Sequence, residues 1–171
     1  MNITPKALQE RFPQLLARLD LDEINILLGF LAIREVSPGT VLYRNGDRSE
    51  VMYCLWQGRL SLSLQLANEE SVLGNLGPGQ FIGVSGVIEP GPALLTVRVV
   101  EPSLLLCLDH ASLKRLRAAH PRLGGQVLQA LSLDLAQWLR RYEEYMTERA
   151  EPDSIEVFFR IGRIEHPHPI S

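Results

Sequence analysis

Two cysteines in 171 residues cannot build a disulfide scaffold. Cys54 and Cys107 lie far apart, each inside an apolar stretch, and read as buried free thiols of a cytoplasmic protein. Metal-ligand spacing is missing too. His110, His120, His166 and His168 form no pattern with either cysteine, so no metal site is expected. Positive charge is scarce: 17 Lys and Arg stand against 20 Asp and Glu, a net charge of −3. That argues against a general polyanion-binding surface, which is normally basic. No apolar run approaches the length needed to span a bilayer, so no membrane partner is expected. The N-terminus, MNITPKALQERFPQLL, carries Glu10 and Arg11 and has no long apolar core, unlike a signal peptide. Phosphate-loop and dinucleotide fingerprints are absent. Ser85 in GVSGV has the G-x-S-x-G spacing of hydrolases, but that motif needs a strand, a sharp turn and a helix, with Asp and His further along. Here the surrounding residues read as strands, and His110 and His120 fall on or beside a helix. No catalytic residue and no enzyme activity are expected.

What is present is a full apolar complement, 46% of residues, with a texture that changes along the chain. Residues 5–18 and 21–31 read as two short helices. Phe12, Leu15, Leu16 and Leu19 face one side of the first. Leu21, Ile24, Leu27, Leu28 and Leu31 recur at helical spacing in the second, with Asp20 or Asp22 as its cap. From about 33 to 109, short β-type runs alternate with turn clusters such as SPGT, RNGD and GPGQ every eight to twelve residues. That is the pattern of a roll or sandwich of short antiparallel strands. In RLSLSLQL, Leu60, Leu62, Leu64 and Leu66 fall on one face, and Ser61, Ser63 and Gln65 on the other. The unbroken run LLLCLD reads as a fully buried strand.

Helix then returns. Asp109 is placed to cap DHASLKRLRAAHP, which stops at Pro121. The KRLR cluster at 114–117 reads as a solvated face. A long helix follows from 121 to about Glu148, roughly 42 Å at 1.5 Å per residue. Gly124 and Gly125 weaken its first turns, which suggests a bend there. Leu128, Leu131, Leu135, Trp138, Tyr142 and Tyr145 are spaced 3, 4, 3, 4, 3, a coiled-coil seam that points to a homodimer. After Pro152, IEVFFRIG could be a strand or an apolar patch for a protein partner. The expected organisation is a β-domain with flanking helices over 1–120, a dimerisation helix over 121–149 and an extended tail over 150–171. The fold class is α+β, an antiparallel β-roll (jelly roll) with N-terminal helices and a long C-terminal helix.

The stretch FIGVSGVIEPGPALLTVRV, residues 81–99, has glycines at 83, 86 and 91 and prolines at 90 and 92. Such a backbone turns tightly and can approach a phosphate closely. Several motifs carry a family resemblance together, over roughly residues 8–148: DLDEINILLGFL, SPGTVLYRNGD, MYCLWQGRLSLSL, LGPGQFIG and AAHPRLGGQVLQAL. In order and spacing they resemble the cyclic-nucleotide-binding domain of the Crp/Fnr regulators. The resemblance makes residues 81–95 a phosphate-binding cassette. In that family it carries a Glu after Phe-Ile-Gly, for the ribose hydroxyl, and an Arg, for the cyclic phosphate. An Arg fork pairs with phosphate by charge-assisted bonds, and a carboxylate accepts from a hydroxyl.

Here Phe81, Ile82 and Gly83 match, the Glu position is Val84, and the Arg position falls at about Ala93, followed by Leu94. Arg98 comes too late, and its side chain turns outward if Val97 and Val99 turn inward. The resemblance therefore implies a degenerate ligand pocket made by Phe81, Ile82, Gly83, Val84, Ser85, Gly86, Ala93, Leu94 and Leu95. With Val84, Ser85, Val87, Leu94 and Leu95 as its lining, it would be apolar. A regulatory module that does not hold cAMP in the usual way is expected, with no cofactor. A sensor taking a cyclic nucleotide or another ligand in the roll is the alternative. The family's winged helix-turn-helix does not fit in the 21 residues after Ala150, so direct DNA binding is not expected. A regulator whose DNA-reading domain is missing from this chain is the third reading.

Overall fold

The computed structural model describes residues 3–66 and 69–149. Its centre is one pair of long strands, β4 (Val51–Leu66) and β8 (Thr96–Asp109). They run antiparallel from Val51 opposite Asp109 to Ser63 opposite Thr96, with irregularities near Leu55–Leu60 that let the ladder bend. Strand β1 (Ala32–Val36) lies against β8, and β5 (Glu69–Leu76) against β4. Strand β2 (Val41–Tyr43) joins β8, and β6 (Phe81–Ile82) joins β4. Strands β3 (Arg48–Ser49) and β7 (Gly91–Pro92) pair separately. This is a jelly-roll-like arrangement of mixed helix and antiparallel sheet.

Both faces of the central pair are buried, which explains why LLLCLD shows no alternation. Tyr53 stands opposite Cys107, Leu55 opposite Leu105 and Leu60 opposite Val99 on the inner face, where they form one apolar cluster. Met52 stands opposite Leu108 and Cys54 opposite Leu106 on the outer face. There the helices cover them around a cavity of about 30 Å3 that Phe12, Leu16, Leu27, Val127 and Leu131 also line. The two thiols are thus buried on opposite faces of the sheet and free.

The expected first helix is two: α1 (Pro5–Arg11) and α2 (Pro13–Leu16). Pro13 has no N–H to continue the first helix and opens the second. Helix α3 (Leu21–Leu28) begins in a capping box, with Glu23 N donating to Asp20 at 2.8 Å and Asp20 N to Glu23 at 3.1 Å. It stops short of Leu31 because Gly29, Phe30 and Leu31 bond three residues back rather than four. In β4, a bulge between Leu62 and Ser63 in the ladder with β5 breaks the expected alternation. Ser63 is buried, and its hydroxyl donates to the Glu70 carboxylate.

Helix α5 (His110–Ala119) is capped as expected, Ser112 N donating to the Asp109 carboxylate at 2.6 Å. Helix α6 covers Pro121–Arg149. Gly124 serves close packing: a Cβ there would lie 2.6 Å from the Cα of Arg117 on α5. The chain divides into two units, through Asp134 and from Leu135 onward. In the first, Leu123, Val127 and Leu131 of α6 are buried. In the second, Trp138 and Leu139 are about half exposed. Residues 150–171, with the tail and IEVFFRIG, lie outside the described residues. Among the described residues no helix is long and apolar enough to cross a membrane.

Candidate functional site

The cassette segment is not the strand and turn its sequence suggests. After β6, Gly83 takes a left-handed conformation (φ 94°) and caps a five-residue helix, α4 (Val84–Ile88). A Cβ at Gly83 would strike the Val51 carbonyl oxygen, and one at Gly86 would lie 2.6 Å from Ser49 Oγ and 2.8 Å from its carbonyl oxygen. Glycine is needed at both positions because α4 lies directly on the backbone of β3 and β4. Ser85, expected among strands, is the second residue of this helix and exposed. The His110 ring is occupied elsewhere, with Nδ1 2.9 Å from the Val87 carbonyl oxygen.

Val84, Gly86 and Val87 are buried, as is Ala93, while Phe81, Ile82, Gly83 and Leu95 are half-buried. Leu94, expected in the apolar lining, is 73% exposed. The loop after β7 is fastened by the RNGD turn, a role the sequence reading did not assign. Ala93 N donates to the Asp47 carbonyl at 2.8 Å, and Gly46 N to the Ala93 carbonyl at 2.7 Å. The Asn45 amide donates to the Leu94 carbonyl at 2.6 Å, and Asn45 N to Thr96 Oγ1 at 3.0 Å. An Asn-Gly-Asp turn signals a tight turn; nothing in its sequence says which loop it will hold.

From Phe81 to Leu95 the single charged side chain is Glu89, and it is exposed. Arg98 lies on β8 between the fully buried Val97 and Val99, opposite Ser61 and Val41, and so on the face away from the inner cluster. Burial pushes the Cys54 thiol up to about 12 and the Cys107 thiol up to about 11. Both are therefore protonated, weak nucleophiles at neutral pH. Among the described residues no group of three His, Cys, Asp or Glu side chains could hold a metal ion.

The β6–α4–β7 segment is thus seated on β3 and β4 at two tight glycines. A family model for the cyclic nucleotide-binding domain matches residues 33–120. The chain belongs to that family. It is 32% identical over 98 residues to the patatin-like phospholipase domain-containing protein 6 of Pongo abelii, covering 57% of this chain and 7% of that protein. The chain therefore spans a small part of the curated relatives it matches first. Among solved structures, the N-terminal domain of a transcriptional regulator from Streptomyces coelicolor A3(2) is 25% identical, with a TM-score of 0.67 over 78% of this chain and 94% of that one. A cyclic nucleotide-binding domain from Methylobacillus flagellatus is 18% identical, with a TM-score of 0.74 and 86% of each chain covered. That likeness shows the shared fold.

For the predicted dimer seam, Leu131 is 1% exposed and lines the chain's own cavity, so it is not available to a partner. Leu128 and Leu135 are half-buried and Trp138 is 54% exposed. The side chains of Tyr142 and Tyr145 lie outside the described residues. Leu139, 48% exposed, was not part of the expected seam.

Proposed function

We propose that this chain is a non-enzymatic regulatory module of the cyclic nucleotide-binding domain family whose cassette does not hold cAMP or cGMP through the family's usual charged anchors. One observation carries the reading: the positions assigned to those anchors, Val84 and Ala93, are buried, apolar and uncharged. A hydrogen bond to a charged group contributes about 1.5–3 kcal/mol. Losing two weakens binding roughly a hundredfold to ten-thousandfold. The Asn45–Asp47 turn supports the same reading, because it holds the loop by bonds within the chain. The module acts as a homodimer through the apolar residues of α6 from Leu128 onward, with Leu135, Trp138 and Leu139 as its proposed contacts, and its output is contact with another protein.

The test is thermal melting with cAMP, cGMP and cyclic dinucleotides at millimolar concentration. A ligand at 100 times its dissociation constant adds about 2.7 kcal/mol of stability. No shift is expected for the natural chain with any of these ligands. A clear cAMP shift in the natural chain would instead make it a nucleotide sensor that binds through the cassette backbone. Sedimentation should show a dimer that Leu135→Asp with Trp138→Asp converts to monomer; a natural chain that sediments as a monomer removes the dimer from the proposal.

A further inference from the structure

The turn at Arg44–Asp47 and the loop after β7 hold each other by hydrogen bonds from both sides. Gly46 N donates to the Ala93 carbonyl at 2.7 Å, and Ala93 N to the Asp47 carbonyl at 2.8 Å. Asn45 N donates to Thr96 Oγ1 at 3.0 Å, and the Asn45 side-chain amide to the Leu94 carbonyl at 2.6 Å. The same amide nitrogen lies 3.4 Å from the Ala93 carbonyl oxygen. The turn itself is pinned by Arg44 N, which donates to the Asp47 carboxylate at 2.9 Å. Asn45 and Gly46 are nevertheless exposed, so water reaches these bonds.

Asn45 is the one asparagine of the chain that a glycine follows. Such a pair carries its own chemistry. A backbone nitrogen can attack the side-chain carbonyl carbon of the asparagine before it, and glycine, having no Cβ, obstructs this least. Gly46 has φ 86°, and a Cβ there would meet no atom within 4 Å, so the approach is open. Attack forms a C–N bond and a cyclic imide. The side-chain nitrogen leaves as ammonia, taking the proton that Gly46 N gives up. Water then opens the imide at either carbonyl and leaves aspartate or isoaspartate at 45. The sum is amide plus water to acid plus ammonia, with nothing oxidised or reduced.

Both reacting groups are held by the same loop. The attacking nitrogen is the one bonded to the Ala93 carbonyl, and the leaving nitrogen is the one bonded to the Leu94 carbonyl. While the loop is seated, neither is free to react; when it lifts, both are released together. The product cannot restore what was lost. A carboxylate has no donor for the Leu94 and Ala93 carbonyls and sets a negative charge against their oxygens. Isoaspartate also lengthens the backbone of the turn by a methylene.

We infer that Asn45–Gly46 is a deamidation site gated by the loop after β7, and that the acid formed there keeps the loop from reseating. The site needs no nucleotide and no side chain of Val84 or Ala93, so it stands independently of the function proposed above.

The full chain is aged in mildly alkaline buffer, folded and in urea, and the peptide containing position 45 is followed by mass spectrometry. Asn45 should convert in the folded chain, about tenfold or more slowly than in urea. Thr96→Ala, which removes the acceptor of Asn45 N, should speed conversion in the folded chain several-fold. Asn45→Asp, the product at an exposed turn, should show faster amide exchange at Gly46 and Ala93 by NMR. A folded Asn45 still intact when the unfolded chain has converted fully overturns the site. Equal rates folded and in urea, or a rate that Thr96→Ala leaves unchanged, overturn the gate. Unchanged exchange at Gly46 and Ala93 in Asn45→Asp overturns the release of the loop. A melting shift with cAMP counts against the function proposed above and leaves all of these readouts as expected.

Discussion

Leu105 at the centre of β8 and Val84 at the start of α4 are both buried, but their surroundings are built in opposite ways. Around Leu105 the space is filled by side-chain volume: Tyr53, Leu55, Leu60, Val97 and Val99. Around Val84 it is closed by missing side chains, since Gly83 and Gly86 let the backbone of α4 rest on Val51 and Ser49. The centre tolerates no loss of volume, and the cassette tolerates no gain. A segment closed by backbone contact is held by the chain's own atoms.

The comparison can be broken most strongly from the centre. Cys54 and Cys107 are held above their ordinary value of 9.0, at about 12 and about 11. Thiols raised in the folded state bind protons that the unfolded chain has already released. Their contribution to stability is whole below pH 9 and is lost as pH rises through about 11 and then about 12. Tyr43 and Tyr53 are raised by burial and act in the same direction. Urea unfolding at pH 8, 9.5 and 10.5 should show falling stability, with a shallower fall in the double variant Cys54→Ala, Cys107→Ala. An unchanged slope in that variant would show that the thiols are not the groups responsible.

Leu105→Ala should cost about 2–5 kcal/mol by leaving a cavity, read as a lower urea midpoint at unchanged slope. Gly86→Val, a gain of volume, should cost about 1–3 kcal/mol, and a stability equal to the natural chain would mean α4 is not pressed against Ser49. Asp109→Ala removes a helix cap bonded at 2.6 Å and should cost about 1 kcal/mol. Ser85→Ala, in the same helix as Gly86 but exposed, should change stability by no more than about 0.5 kcal/mol. Ser85→Ala and Gly86→Val, neighbours in sequence, thus separate the open side of the cassette from its closed side.

Local signals were legible where one residue decides its own neighbourhood. Asp20 and Asp109 announce helix starts because their carboxylates bond N–H groups three residues away. LLLCLD announces a buried strand because no polar side chain interrupts it. The glycines at 83 and 86 mark a tight backbone, and the missing Glu and Arg are legible only through the family resemblance. Other features were not legible because they depend on partners distant in sequence. Helix α4 follows β6 in a stretch rich in strand and turn residues, and its close seat on Val51 and Ser49 supplies what propensity does not. Leu131 reads as a dimer position by spacing and is buried, lining the same cavity as Phe12 and Leu16. Gly124 reads as a weak point and is a contact with Arg117.

Composition, turn spacing and helical periodicity by themselves determined that this chain forms an antiparallel roll with helices before and after it, and that its thiols are internal. Each of these follows from residue type and local order. Tertiary structure alone decided which apolar positions of α6 belong to the chain's own core, and that Asn45 and Asp47 fasten the loop after β7. Those outcomes depend on strand register and helix approach, which no short stretch of sequence encodes.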